Sequence, residues 1–251
     1  MIERGQLVRH EVVVRDLAVA RTKELSPGLL RVTLQGEQLD GFTSLGAADH
    51  VKLLFSEGVR RDYTPRAFRP AADGRPAELD LDFFLHGDGP ASSWAASATE
   101  GDVLSVAGPR GSHLPPTGAR RVILGADESA LPAVARWIEL LPEEIEIFGF
   151  VELDNPSDAA YLDPDHVHKA RVVWLGKAEG ALERAIRALG PIGDDTFVWV
   201  AGEATTLIPI RRYLRRELGL PPGQVKIDGY WKRGEAGRDH HAPIDPSDPE
   251  D

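Results

Sequence analysis

Arg61-Asp62-Tyr63-Thr64-Pro65-Arg66 sets two guanidinium groups around an aromatic ring and a hydroxyl. Read as a β-strand, the stretch puts Arg61 and Tyr63 on one face. Thr64 and Arg66 share the other until Pro65 disturbs the alternation. The combination suits a planar ligand that carries phosphate: the ring can stack, the hydroxyl can bond a heteroatom, and guanidinium can hold phosphate in a bidentate fork. An exposed basic strand making surface ion pairs is the plain alternative, and the stretch alone does not choose between them.

The flanking sequence supplies the context. Residues 7 to 107 form short runs with β-branched or aromatic alternation: Leu7 to Val14, Leu29 to Leu34, His50 to Phe55, Arg61 to Phe68, Leu79 to His86 and Asp102 to Val106. Turn signals such as Ser26-Pro27-Gly28, Glu57-Gly58 and Ala72-Asp73-Gly74 separate them. About six strands with few helical intervals predict a closed antiparallel β-barrel, over residues 8–116. One helix interrupts it, Ala91 to Ala98, introduced by Gly87-Asp88-Gly89-Pro90 with proline where a first helical turn tolerates it.

Beyond Pro115-Pro116-Thr117-Gly118 the pattern changes. Strand-like Arg121 to Leu124, Glu146 to Val151, Val172 to Leu175, Thr196 to Val200 and Val225 to Ile227 alternate with helix-like Ala130 to Leu141, Gly180 to Leu189 and Thr206 to Leu218. This predicts a doubly wound parallel sheet, an α/β domain over residues 119–234. Ligands of such sheets bind beyond the carboxyl ends of the strands. Here those ends carry Gly125-Ala126-Asp127-Glu128-Ser129 and Ala201-Gly202-Glu203-Ala204-Thr205-Thr206, turns that run into helix N-termini and favour an anion. Ordinary N-capping by Asp127, Ser129 or Thr205 explains the same residues. Residues 235–251, rich in Pro, Asp and His, read as a mobile tail.

The 251-residue chain carries a net charge of −11, which argues against nucleic acid or an anionic membrane as a partner. It has no cysteine, so thiolate metal sites, disulfides and a cysteine nucleophile are excluded, and any redox chemistry belongs to a bound organic cofactor. No stretch has the length of a signal core or a membrane span, which predicts a cytoplasmic protein without membrane insertion; it is read as a monomer. No metal site is predicted, since the adjacent His240 and His241 of the tail cannot close one without distant ligands.

Four blocks in order resemble the siderophore-interacting protein family, flavin-dependent ferric-siderophore reductases within the ferredoxin–NADP reductase superfamily. They are Arg61 to Arg66; Asp82-Phe83-Phe84-Leu85-His86-Gly87 continuing through Gly89 to Ala95; Asp127-Glu128-Ser129-Ala130-Leu131-Pro132-Ala133; and Asp228-Gly229-Tyr230-Trp231-Lys232-Arg233-Gly234. His50-Val51-Lys52-Leu53 and Ala201-Gly202-Glu203-Ala204 add weaker matches, and the whole spans roughly residues 8 to 234.

The resemblance implies an FAD-binding barrel of ferredoxin reductase type followed by an NAD(P)H-binding domain. Arg61, Tyr63 and Thr64 would then hold the flavin, and His86, Gly89, Ala91, Ser93 and Trp94 would wrap its diphosphate and adenosine. Tyr230 and Trp231 would approach the flavin from the C-terminal domain as a gate. Asp127, Ser129, Gly202 and Glu203 become candidates for the nicotinamide nucleotide. NADPH or NADH would be the electron donor, with Lys177 or one of Arg211, Arg212, Arg215 and Arg216 meeting a 2′-phosphate. Lys52, Lys232 and Arg233 would attract an anionic ferric siderophore. The implied reaction is NAD(P)H-dependent, FAD-mediated reduction of Fe(III)-siderophore with release of Fe(II), which needs no catalytic acid or base from the protein. A flavoprotein passing electrons to a protein partner or free flavin, and a siderophore-binding protein without redox cofactor, stay open as alternatives.

Overall fold

The computed structural model describes residues 2–3, 5–87, 89–239 and 242–249, and falls into two compact units. Asp88, in the turn before the first helix, and the His240–His241 pair lie outside the described residues.

The first unit, residues 7–114, holds nine strands: β1 (Leu7–Arg9), β2 (Val14–Ser26), β3 (Leu29–Gln35), β4 (Val51–Leu54), β5 (Arg60–Tyr63), β6 (Pro65–Arg69), β7 (Glu78–Phe84), β8 (Val103–Ala107) and β9 (Gly111–His113), with helix α1 (Pro90–Ser97). Seven of them form one antiparallel sheet in the order β5-β4-β8-β2-β3-β7-β6, while β1 pairs with β9. Strands β5 and β6 stand at opposite edges of this sheet, yet only Thr64 separates them in the chain. Two Cα steps span at most about 7 Å. The sheet must therefore curl until its edges meet at Thr64.

The barrel expected from the sequence is thus a curled, open one, since among the described residues no hydrogen-bonded ladder joins β5 to β6. Pro65 opens β6 and has no N–H to offer such a ladder. The predicted single strand Arg61 to Phe68 is two strands for the same reason. The interior is filled by alternating residues such as Leu17, Val19, Val32, Leu34, Leu53, Leu79, Leu81 and Phe83, each fully buried. The outward residues of β7 are acidic. Asp80 and Asp82 are only 3% exposed, because arginines lie over them. Arg31 holds Asp82 at 2.7 and 2.8 Å, Arg69 bridges Asp80 and Glu78, and Arg21 closes on Glu78.

The second unit contains residues 115–251 with the first residues of the chain. Its strands β10 (Arg121–Ala126), β11 (Glu146–Leu153), β12 (Val173–Gly176), β13 (Thr196–Glu203) and β14 (Val225–Trp231) form a parallel sheet in the order β12-β11-β10-β13-β14. The helices among the described residues are α2 (Leu131–Leu140), α3 (Pro164–Lys169), α4 (Ala181–Ala188) and α5 (Ala204–Arg212), which widens into a π-helical turn over Tyr213–Glu217. Both faces of the sheet are covered. Along β13, Phe197 and Trp199 stack towards Trp137 of α2, whereas Val198 and Val200 pack with Leu182 and Ile186 of α4 and Leu207 and Ile210 of α5. That two-sided burial explains why β13 reads as a continuous apolar run. Helix α3 was not anticipated; Pro164-Asp165-His166-Val167-His168-Lys169 has one apolar residue and no helical periodicity. It is started by Asp163, whose carboxylate accepts the His166 N–H at 2.8 Å.

Part of the segment read as a mobile tail is seated on this unit. Ile244 is 6% exposed within the α4–α5 core. Asp245 accepts from Arg212 at 2.6 Å, and Asp248 binds both Arg211 and Arg216.

Candidate functional site

In the first unit the motif lies on the seam of the curled sheet. Register pairs Val51 with Tyr63, Lys52 with Asp62 and Leu53 with Arg61. Arg61 and Tyr63 therefore share the face of the buried Val51 and Leu53. The Tyr63 ring stands 4.4 Å from that of Phe83, and burial pushes its phenol well above the usual tyrosine range, the nearby Arg61 charge opposing. The hydroxyl stays a neutral donor at physiological pH. Thr64, at the turn between the two edges, is 7% exposed.

Helix α1 follows β7 through Leu85-His86-Gly87. Its N-cap is Gly89, which has no side chain to cap with, and its first turn carries no acid. Pro90 lacks an N–H, so the first-turn donors are the Ala91 and Ser92 amides, which have no intrahelical acceptor. The Ser93 N–H, by contrast, already bonds Gly89 O at 2.9 Å. A Cβ built on Gly87 or Gly89 meets nothing within 4 Å among the described residues.

Not every residue named around α1 faces this turn. Trp94 packs 5.8 Å from Phe83 and 6.0 Å from Phe55, and Ala91 is 5% exposed in the core. Their side chains seat the helix, and only the backbone of Ala91 is offered. Ser92, which sequence reasoning passed over, receives the His86 N–H at 3.4 Å and is itself 5% exposed, tying the turn to the helix.

Lys52 projects from the opposite face to Arg61 and Tyr63, where its ammonium holds Asp62 at 2.7 and 3.0 Å. Lys232 pairs with Glu235 at 3.1 Å, and Arg233 is exposed, its backbone N–H donating to Glu203.

In the second unit the strand order reverses between β10 and β13, and the candidates gather at the carboxyl ends of those strands. Asp127 is 4% exposed, and its carboxylate is saturated: it accepts from Ser129 N and Oγ, from Glu203 N at 2.9 Å and from the Trp231 indole at 2.8 Å. Gly202 makes this possible. Its φ is +152°, and a Cβ there would stand 2.7 Å from Asp127 Oδ2. Glu203 caps α5 through the Thr206 N–H and accepts from Arg233 N. These acids build the switch point, and Trp231 is held rather than free to swing.

Lys177, one residue past β12, meets Glu128 at 2.8 Å and Asp154 at 3.1 Å, and lies 6.0 Å from the Trp231 ring. Strands β12 and β14 are the two edges of the sheet, about 19 Å apart. The Lys177 and Trp231 side chains reach in from these edges to Glu128 and Asp127, just past the end of β10. Burial lowers the Lys177 pKa, but its hydrogen bonds to Glu128 and Asp154 outweigh that and raise it overall. Glu128, 1% exposed, was not singled out as a site residue; nothing local in Asp127-Glu128-Ser129 reveals a partner so distant in sequence. Arg211, Arg212 and Arg216 sit at the far end of α5 and are taken by the tail carboxylates, so they do not reach this crevice.

Residues 119–234 match the family model described as siderophore-interacting protein, and residues 18–59 and 56–113 match the siderophore-interacting FAD-binding domain. The NADPH-dependent ferric-chelate reductase of Escherichia coli is 33% identical over 246 residues, covering 90% of this chain and 96% of the relative. The chain belongs to the siderophore-interacting protein family. Ferric vibriobactin reductase of Vibrio cholerae is 32% identical over 92% of this chain and 93% of its own length. The crystal structure of a siderophore utilization protein from T. fusca superposes with a TM-score of 0.84 at 35% identity, covering 96% of this chain and 100% of that one. A ferredoxin NADP+ reductase from Neisseria gonorrhoeae, at 15% identity and a TM-score of 0.63, shares the fold.

The donor set of the first unit fits a flavin dinucleotide. An uncapped helix N-terminus with glycines before it suits a diphosphate, a guanidinium adds a cation, and a neutral phenol beside a buried hydroxyl-bearing residue suits a flavin ring.

Proposed function

We propose that this protein is an FAD-dependent ferric-siderophore reductase driven by NADPH or NADH, releasing iron as Fe(II). The observation that carries the reading is the Arg61-Tyr63-Thr64 motif at the seam of a curled barrel whose helix α1 begins without a side-chain cap among the described residues, in a chain of this family. FAD, when bound, accepts a hydride from the nicotinamide and delivers single electrons to Fe(III), whose hard oxygen chelate is weakened by the reduction.

The residues hold and orient. The Ala91 and Ser92 amides and the Arg61 guanidinium bind the diphosphate. Tyr63 presents its ring and a permanently protonated hydroxyl, and Thr64 lines the seam. Asp127 and Glu203 fix the loops of the nucleotide crevice, and Asp127 fixes the Trp231 indole. Lys52 and Lys232 carry carboxylate partners, so among the three basic candidates Arg233 is the better one for an anionic chelate. Among the described residues no helix is long and apolar enough to cross a membrane. The electron donor is a cytoplasmic metabolite, and the reading takes the protein as a cytoplasmic monomer.

The test is anaerobic. Full-length protein is loaded with FAD, mixed with NADH or NADPH, then given ferric catecholate or hydroxamate with an Fe(II)-specific chromophoric chelator. Flavin absorbance should fall, then return as Fe(II) appears. Failure to take up FAD, or no return with any ferric chelate, would overturn the proposal.

A further inference from the structure

The nucleotide crevice is acidic. Asp127 and Glu128 follow β10, Glu152 lies near the end of β11, and Asp154 comes just after it. Among the described residues, the ammonium of Lys177 is the cation set against these carboxylates, and it is itself bound to two of them. Glu152 is 9% exposed and accepts the Leu182 N–H at the start of α4. Burial pushes its carboxyl up, the Leu182 bond opposes, and the Asp127 and Glu128 charges add to the rise. Asp154 is the accessible member, its side chain 66% exposed and its backbone N–H anchored on Glu128 at 2.5 Å. Arg184, in the first turn of α4, is drawn onto the Glu179 carbonyl at 2.7 Å and adjoins Glu183. Among the other described cations, Arg211, Arg212 and Arg216 hold Asp245 and Asp248 at the far end of α5, Arg215 donates to the Leu220 carbonyl, and Lys232 and Arg233 follow β14, the edge strand opposite β12.

The sheet order makes β11 the second strand of the nucleotide half, and Glu152 falls about 25 residues after the first turn. In sheets of this winding, an acid about 20 residues past that turn accepts a hydrogen bond from the adenosine ribose 2′-hydroxyl, whereas a 2′-phosphate needs a free basic partner. Resting on the reading of this chain as a nicotinamide-dependent reductase, we infer that Asp154, backed by Glu152, makes the crevice select NADH over NADPH. A 2′-phosphate would bring roughly two negative charges into a group already short of cations. The 2′-hydroxyl brings a donor to a site rich in acceptors. Lys177 does not reverse the preference, because Glu128 already neutralises it and 2′-phosphate would have to displace Asp154 from it.

The experiment measures binding and turnover on the FAD-loaded full chain. Isothermal titration with NAD+ and NADP+, and with ADP-ribose and its 2′-phosphate, reads affinity without catalysis; flavin reduction by NADH and NADPH gives kcat/KM. NAD+ and NADH should be favoured by about tenfold or more, and Asp154→Asn and Asp154→Lys should raise NADP+ affinity by about three- to tenfold. Asp154 is exposed, and Glu152→Gln keeps an acceptor for Leu182, so these variants retain the fold. Equal or tighter NADP+ binding, or a preference unmoved by all three substitutions, would overturn the inference while leaving the reductase reading intact. Binding of neither nucleotide would overturn both.

Discussion

Helix α1 begins without a side-chain cap, whereas α5 is capped by Glu203, and the 3-10 turn Glu128–Ala130 that leads into α2 is capped by Asp127. At α1 the cap is Gly89 and no acid lies in the first turn. At the turn into α2 the cap is Asp127, and at α5 it is Glu203. All three N-termini have the same orphan amides and the same dipole. The difference lies in who satisfies them. An uncapped terminus can take a ligand's phosphate, while a terminus filled from within becomes framework. On the proposed reading the two units would hold their nucleotides differently, one by matching negative charge and the other by a crevice that disfavours more of it.

The sharpest way to break this contrast is to close α1. Gly89→Asp should supply the missing cap, stabilise the helix and lower FAD affinity by about two orders of magnitude, since a carboxylate then competes for the Ala91 and Ser92 amides. Fluorescence titration measures the loss, and unchanged affinity would show that the diphosphate binds elsewhere. Arg61→Ala should cost about ten- to a hundredfold in the same titration, in line with one charge-assisted contact. Opening the other side is the complementary test. Gly202→Ala forces a Cβ against Asp127 Oδ2 and should destabilise the second unit by about 1–3 kcal/mol in chemical denaturation.

A smaller effect separates the units by pH. Hydrogen bonds from Arg21, with Arg69 assisting and burial opposing, lower the Glu78 pKa from 4.5 to about 2. A carboxylate depressed on folding contributes stability above its unfolded pKa and loses it as pH falls through the folded one. The first unit should therefore weaken between pH 4.5 and about 2. In Glu78→Gln that part of the pH dependence should be absent from urea midpoints. The smallest change is expected from Lys52→Ala, under ~1 kcal/mol in stability, because an exposed pair contributes little.

Much of the fold was legible because burial leaves a period. Residues Arg121 to Leu124 and Thr196 to Val200 read as buried parallel strands, and each is the first part of a longer one. Arg61 and Tyr63 share a face, as alternation requires. The reading failed where chemistry outside the local window decides. Helix α3 has no apolar stripe and is set by its cap. The tail aspartates find Arg211, Arg212 and Arg216 more than 30 residues away in sequence, so neither segment announces the pair. Lys52 stands across the ladder from Asp62, a partner that only the strand register reveals.

For this protein, composition and motif order alone determined the class of cofactor, the two-unit plan and the residues at the barrel seam, because spacing along a strand dictates which side chains face together. Only the tertiary structure decided which charges remain available. Among the described residues Arg61 bonds a backbone carbonyl rather than a carboxylate and α1 has no side-chain cap, while Asp127, Glu128, Lys177 and the α5 arginines are matched inside the chain. A charge's role depends on its nearest opposite charge, and that neighbour is brought by folding, from anywhere in the sequence.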